Sequence, residues 1–316
     1  ASTDPSASVA AVTPAPSAAS AGVAASPAGS VAPSAAGSGS AQPTGGPTGS
    51  PPADAVLIGA GDIADCSREG DEHTARLLDD LTGAVFTAGD NAYASGTAAQ
   101  FRDCYGPTWG RHVARTRPAP GNHDWETQGL AGYLGYFGAA AAPNGTSWYS
   151  YDLGAWHIVV LDSDCEPVGG CDAGSAQGSW LAGDLSASRA QCTMAIWHHP
   201  RFSSGEHGND ATVAPFWRVV YDAGAEVVVN GHDHDYERFA PQDPDARADD
   251  ARGLQEFVVG TGGAELRAFR TPVANSAVRV AAEFGVIRFV LHPTGLDWTF
   301  LATTGRQLDS GSAACH

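Results

Sequence analysis

Five apolar or β-branched runs in this chain, Val56–Ile58, Val85–Thr87, Thr116–Pro120, Thr193–Trp197 and Val227–Val229, each give way to a segment rich in oxygen and nitrogen donors. Those segments are Gly61-Asp62, Gly89-Asp90-Asn91-Ala92-Tyr93, Gly121-Asn122-His123-Asp124, His198-His199-Pro200 and Gly231-His232-Asp233-His234. Short apolar runs that end at turn residues signal strands. Open α/β sheets collect their ligands at the carboxyl ends of such strands. Strand ends converging on one shared metal centre is the reading that uses all five segments. Singly, Asp62 or Asp90 reads as well as a helix N-cap, but a cap leaves the preceding glycine unexplained.

The intervening sequence fits that plan. A helix over 70–81 carries Ala75, Leu77, Leu78 and Leu81 as its apolar stripe, and a strand over 84–89 leads to Asp90. A short helix is expected near 97–104, and a hairpin folds 148–153 against 156–161 around Gly154-Ala155. Helices over 175–186 and 211–223 precede the strands that end at His198 and His232. The region 255–303 reads mostly as strand, at 257–259, 286–291 and 298–302. The expected fold class is α/β, a four-layer α/β/β/α sandwich of two mixed sheets flanked by helices.

Residues 1–52 stand apart. They are almost wholly Ala, Ser, Gly, Pro, Thr and Val, with Asp4 the one charge and no aromatic residue. Such a stretch buries too little apolar surface to offset its ordering entropy. It is expected to be a disordered tail or linker that allows cell-wall association, with residues 53–316 as the catalytic domain. A chain that begins inside such material suits a mature exported protein, secreted or held at the cell envelope. The six cysteines contain no CxxC pair, so disulfides are expected before zinc: Cys165–Cys171, Cys66–Cys104 and Cys192–Cys315.

Charge narrows the partners. With 17 basic and 35 acidic residues the net charge is −18, which argues against binding a nucleic-acid backbone. A small anionic substrate remains compatible where bound cations dominate the local field. No run of about 18 apolar residues offers a transmembrane segment.

Asp, Asn and His are donors for hard and borderline first-row metals, and there are too many here for one ion. Two ions sharing a bridging Asp suit phosphoester hydrolysis. The order GD, GDxxY, GNHD, xxxH, GHxH resembles the calcineurin-like metallophosphoesterases, and Tyr93 within GDNAY makes it similar to a purple acid phosphatase. The resemblance covers roughly residues 55–265, supported by Tyr236-Glu237-Arg238 and Gly260-Thr261-Gly262-Gly263. It implies a metal set of Asp62, Asp90, Tyr93, Asn122, His198, His232 and His234. Asp62, Asp90, Tyr93 and His234 would hold Fe(III), and Asn122, His198 and His232 would complete a Zn, Mn or Fe(II) site bridged by Asp90. A phenolate donor independently favours a trivalent ion.

The implied reaction is attack of a metal-bound hydroxide on a phosphate ester, releasing orthophosphate. His123 is the expected partner of the phosphate or leaving oxygen, with Asp124 holding its second ring nitrogen; His207, in Gly205-Glu206-His207-Gly208, shares that catalytic group. His198-His199 leaves the ligand choice open on the residues alone, and the resemblance favours His198. Arg201 and Arg238 read equally as phosphate contacts or ion pairs, and Trp125 and Trp148 as core packing before pocket lining. The substrate expected is a small phosphate monoester. The alternatives are a phosphodiesterase or nucleotide pyrophosphatase on the same centre, or a binding protein whose centre is vestigial.

Overall fold

The computed structural model describes residues 53–316; the tail expected at 1–52 lies outside the described residues. Two mixed sheets stack face to face. In the first, Ala55–Ala60 pairs parallel with Ala84–Ala88, which pairs parallel with Thr116–Ala119. On its other side the sheet continues antiparallel through Gly285–His292, Gly295–Ala302 and Gln307–Ala314. The second sheet has a parallel centre, Trp156–Val160, Cys192–Ile196, Val227–Asn230 and Gln255–Val259. Tyr149–Leu153 closes one edge of it, while Tyr236–Phe239 and Ser276–Val280 close the other.

Burial on both faces explains why the central strands read as continuous apolar runs rather than alternating ones. Ile158, Met194 and Val229 point into the core between the sheets with Leu57, Phe86 and Phe289. Phe257 of the second sheet meets Phe289 of the first edge-on, with ring centroids 5.4 Å apart. The neighbouring Val159, Ala195 and Val228 face outward against Leu181, Phe216, Trp217 and Val220. Those four come from helices Ala176–Ala187 and Ala214–Asp222. Helix Gly70–Asp80 buries Ala75 and Leu78 against the first sheet. The layering is α/β/β/α, as expected.

Departures from expectation lie where the apolar pattern is weakest. Gln307–Ala314, with the sequence QLDSGSAA, has little alternation yet forms an edge strand. Its pairing with Gly295–Ala302 and the bonds of Asp309 to Tyr236 and Arg238 hold it. The region after Asn122 contains helices Asn122–Trp125 and Ala131–Phe137. Cys66–Cys104, Cys165–Cys171 and Cys192–Cys315 are bonded as expected. Among the described residues, no helix is long and apolar enough to cross a membrane.

Candidate metal centre

The strand ends meet. Asp62 and Asp90 follow adjacent parallel strands, and the two turns are tied by the Asp62 N–H to the Gly89 carbonyl at 3.0 Å and the Ile63 N–H to the Asp90 carbonyl at 3.0 Å. Asp62, Asp90 and His232 have φ of 60°, 50° and 71°, a left-handed backbone that non-glycine residues adopt at a cost of about 1–3 kcal/mol each. The glycines before the donors provide clearance. A Cβ on Gly121 would lie 2.3 Å from Asp90 Oδ1, and one on Gly89 would lie 2.4 Å from His198 Nδ1.

Two four-atom clusters result, and they share one oxygen. Around the first, the Tyr93 hydroxyl lies 2.8 Å from Asp62 Oδ1, 2.9 Å from Asp90 Oδ2 and 3.2 Å from His234 Nε2. Around the second, His198 Nε2 lies 3.1 Å from Asn122 Oδ1, 3.2 Å from His232 Nδ1 and 3.3 Å from the same Asp90 Oδ2. The Ala88 carbonyl, 2.8 Å away, accepts from His198 Nδ1. That bond uses the one proton a neutral imidazole carries, so Nε2 presents its lone pair to other electron-rich atoms. Likewise one phenolic proton cannot serve both carboxylates. Both clusters are short of protons and suited to a cation at the centre, and Asp62, Asp90 and His198 are buried. The donor set fits two metal ions. Burial alone would raise Asp90; without a cation, a second proton on the facing His198, and His123 beside it, would take the ion's place and hold the Asp90 carboxyl well below the usual range.

His123 sits at the mouth, its side chain 34% exposed and its ring centroid 4.5 Å from that of Tyr93. Its backbone N–H donates to Asp90 Oδ1 at 2.8 Å. Its Nδ1 donates to the Ala94 carbonyl at 2.6 Å, leaving Nε2 open and 3.9 Å from Asp90 Oδ2. The orienting contact expected from Asp124 is therefore made by Ala94. Asp124 is buried and accepts from the Gly121 and Asn91 backbone N–H groups and from Asn91 Nδ2. Burial, reinforced by the Asp90 charge, pushes it up to about 7.

His232 lies between two further histidines, with ring centroids 4.4 Å from His199 and 4.2 Å from His207. His199 Nδ1 pairs with Ser163 Oγ at 2.8 Å, and burial, then His198, pulls it down to about 4. It is His198, not His199, that faces Asn122 and Asp90. His207 Nε2 accepts from Arg267 at 2.7 Å, which puts the proton of the neutral ring on Nδ1. Arg267 is itself gripped by Glu265 at 2.6 and 2.8 Å. Sequence reading missed Arg267 and Glu265; their signal was a charged cluster directly after Gly260-Thr261-Gly262-Gly263. Arg238 is paired with Asp309, and Arg201 lies over the Phe202 ring.

Residues 46–236 match the family model of the calcineurin-like phosphoesterases. The chain belongs to that family. Within the calcineurin-like phosphoesterases it is purple acid phosphatase-like: purple acid phosphatase 18 of Arabidopsis thaliana is 28% identical over 151 residues, covering 45% of this chain and 33% of that protein. Acid phosphatase A of Cryphonectria parasitica is 30% identical over 122 residues, covering 33% of this chain and 24% of that one. The chain thus spans about a third or less of the length of these two relatives. The purple acid phosphatase PPD1 of yellow lupin shares the fold at a TM-score of 0.66 and 18% identity, covering 84% of this chain and 55% of that one. GAP50, described as the anchor in the inner membrane complex of Plasmodium, has the same TM-score of 0.66 at 13% identity, covering 83% and 89%. A shared fold is not by itself an activity.

Proposed function

We propose that this phosphoesterase is an exported, binuclear phosphomonoesterase that releases orthophosphate from small organic phosphate esters. The observation that carries the reading is Asp90 Oδ2, common to the Tyr93 and His198 clusters. Asp62, Asp90, Tyr93 and His234 would hold one ion, Fe(III) given the phenolate donor. Asn122, His198 and His232 would join Asp90 on the second, Zn, Mn or Fe(II). When bound, such a pair supplies an acidified shared water and positive charge for the phosphoryl oxygens.

The chain's own residues do the rest. His123 is locked through Nδ1–H, so in the doubly protonated ring the proton on Nε2 is the one free to pass to the departing alcohol, leaving the neutral Nδ1–H tautomer. His207, held by Arg267 and packed on His232, would offer its Nδ1–H as a second donor. Three disulfides support an oxidising compartment and hence export.

The test is orthophosphate release from mono- and bis-aryl phosphates by purified protein of known metal content. Faster turnover of the monoester supports the reading. Preference for the bis-ester would make the protein a diesterase. Metal-replete protein that turns over neither is a scaffold.

A further inference from the structure

A cavity of about 300 Å³ lies beside Trp125, three residues beyond Asn122, with Leu130, Leu134, Trp148, Pro167 and Val168 also in its lining. Its volume is at the small end for ligand pockets, about 300–1,000 Å³. Two chains of contact tie it to the Asn122–His198–His232 cluster. Trp125 is one helical turn beyond Asn122 in helix Asn122–Trp125, so the two share a face. On the second path, the His199 ring abuts His232 and its Nδ1 pairs with Ser163. The next residue back, Asp162, accepts from Trp125 Nε1 at 3.2 Å and from Ser147 Oγ at 2.5 Å.

Where His207 rather than His199 packs on His232, and beside His234, the chemistry is different. There Arg68, Glu265, Arg267 and Glu206 form linked ion pairs. A phosphoryl group between the clusters would thus have charged side chains on one flank and an indole-walled hollow on the other. Trp125 and Trp148 are only half-buried, so both retain apolar surface for a ligand. The loop carrying Pro167 and Val168 is closed by Cys165–Cys171, which limits its freedom to collapse inward.

We infer that this hollow binds an alkyl or aryl group on the alcohol side of the ester, making the enzyme selective for phosphate esters of apolar alcohols. The inference rests on the phosphomonoesterase reading and adds a substrate class to it.

Straight-chain alkyl phosphates test it, because ethanol and hexanol are leaving groups of nearly equal acidity. The wild-type protein is expected to show a kcat/KM for hexyl phosphate at least about tenfold above that for ethyl phosphate. Trp148→Ala and, independently, Val168→Asp should flatten that ratio. Calorimetric titration with methyl- and hexylphosphonate, which cannot be hydrolysed, should give the same order of binding and the same loss in the variants. A flat wild-type series, or a ratio kept by a folded variant, overturns the pocket. Turnover of no ester, with hexylphosphonate still bound more tightly than methylphosphonate, refutes the phosphomonoesterase reading and leaves the hollow as a binding site.

Discussion

Asp90 and His198 face each other with Oδ2 and Nε2 3.3 Å apart, while the opposite ring nitrogen of His198 is committed to the Ala88 carbonyl. A proton or a metal ion must lie between such atoms for the contact to be favourable. The carboxylate also receives the His123 N–H on its other oxygen, which fixes its plane. Replacing Asp90 therefore disturbs both clusters together.

Asp90→Asn is expected to lower kcat/KM on an aryl phosphate by on the order of 10³-fold or more and to reduce the bound metal at both positions. Elemental analysis beside the kinetics checks this. Full metal content with full activity would remove the bridging role.

Removing metal should destabilise the fold, because the folded state loses the binding free energy of its ions and the buried Asp62, Asp90 and His198 are left with protons as the only positive charge between them. An ion at 100 times its Kd contributes roughly 2.7 kcal/mol, so chelating two should lower Tm by on the order of 10 °C. Calorimetry with and without chelator reads it directly, and an unchanged Tm contradicts it.

A Tyr93 phenolate on a ferric ion would give colour. If the first ion is ferric, active protein is violet or pink, and Tyr93→Phe loses the band and binds that ion at least about 10–100-fold more weakly. A visible spectrum with iron quantification decides; colourless protein at full activity removes the iron assignment alone.

His123→Gln is expected to reduce kcat by about 10²–10⁴-fold, with a smaller change in KM. Its backbone contact to Asp90 is kept, so metal content should hold. A variant with wild-type kcat would show that another group protonates the leaving oxygen.

The sequence made the donors legible because four of the five segments follow an apolar strand, the exception being Thr116–Ala119, and strand ends are where a sheet presents side chains in common. Asp124 was misjudged through adjacency to His123. Successive residues on a helix diverge, and Asp124 turns inward to Gly121 and Asn91 while His123 points outward. Arg267 is joined to His207 across 60 residues, a pairing that no periodicity encodes. The edge strand Gln307–Ala314 is specified by its neighbours and by Asp309 rather than by its own alternation.

Far from the centre, His157 bridges Asp152 at 2.9 Å and Asp184 at 2.8 Å. The Asp184 bond raises its pKa above the usual histidine value against the opposing effect of burial, with Asp152 adding to the rise. A histidine raised in the folded state adds stability that is full below its unfolded pKa, about 6.5, and fades as pH rises through the folded value. His157→Gln should therefore cost about 1.5–3 kcal/mol at pH 5.5 and clearly less at pH 9. Denaturant titrations at the two pH values check it; equal losses would show that the bridge is neutral.

The left-handed backbone at Asp62, Asp90 and His232 carries one more implication. At each position glycine would sit more comfortably than the residue present. Exchanging all three for glycine would forfeit ion binding and relax the turns, but the His232 and His123 N–H groups would lose the Asp62 and Asp90 carboxylates to which they donate, so the relief of strain and the loss of those bonds offset each other. The same side chains thus serve the turns as well as the centre, and ion binding cannot be removed there without also rewiring the backbone around it.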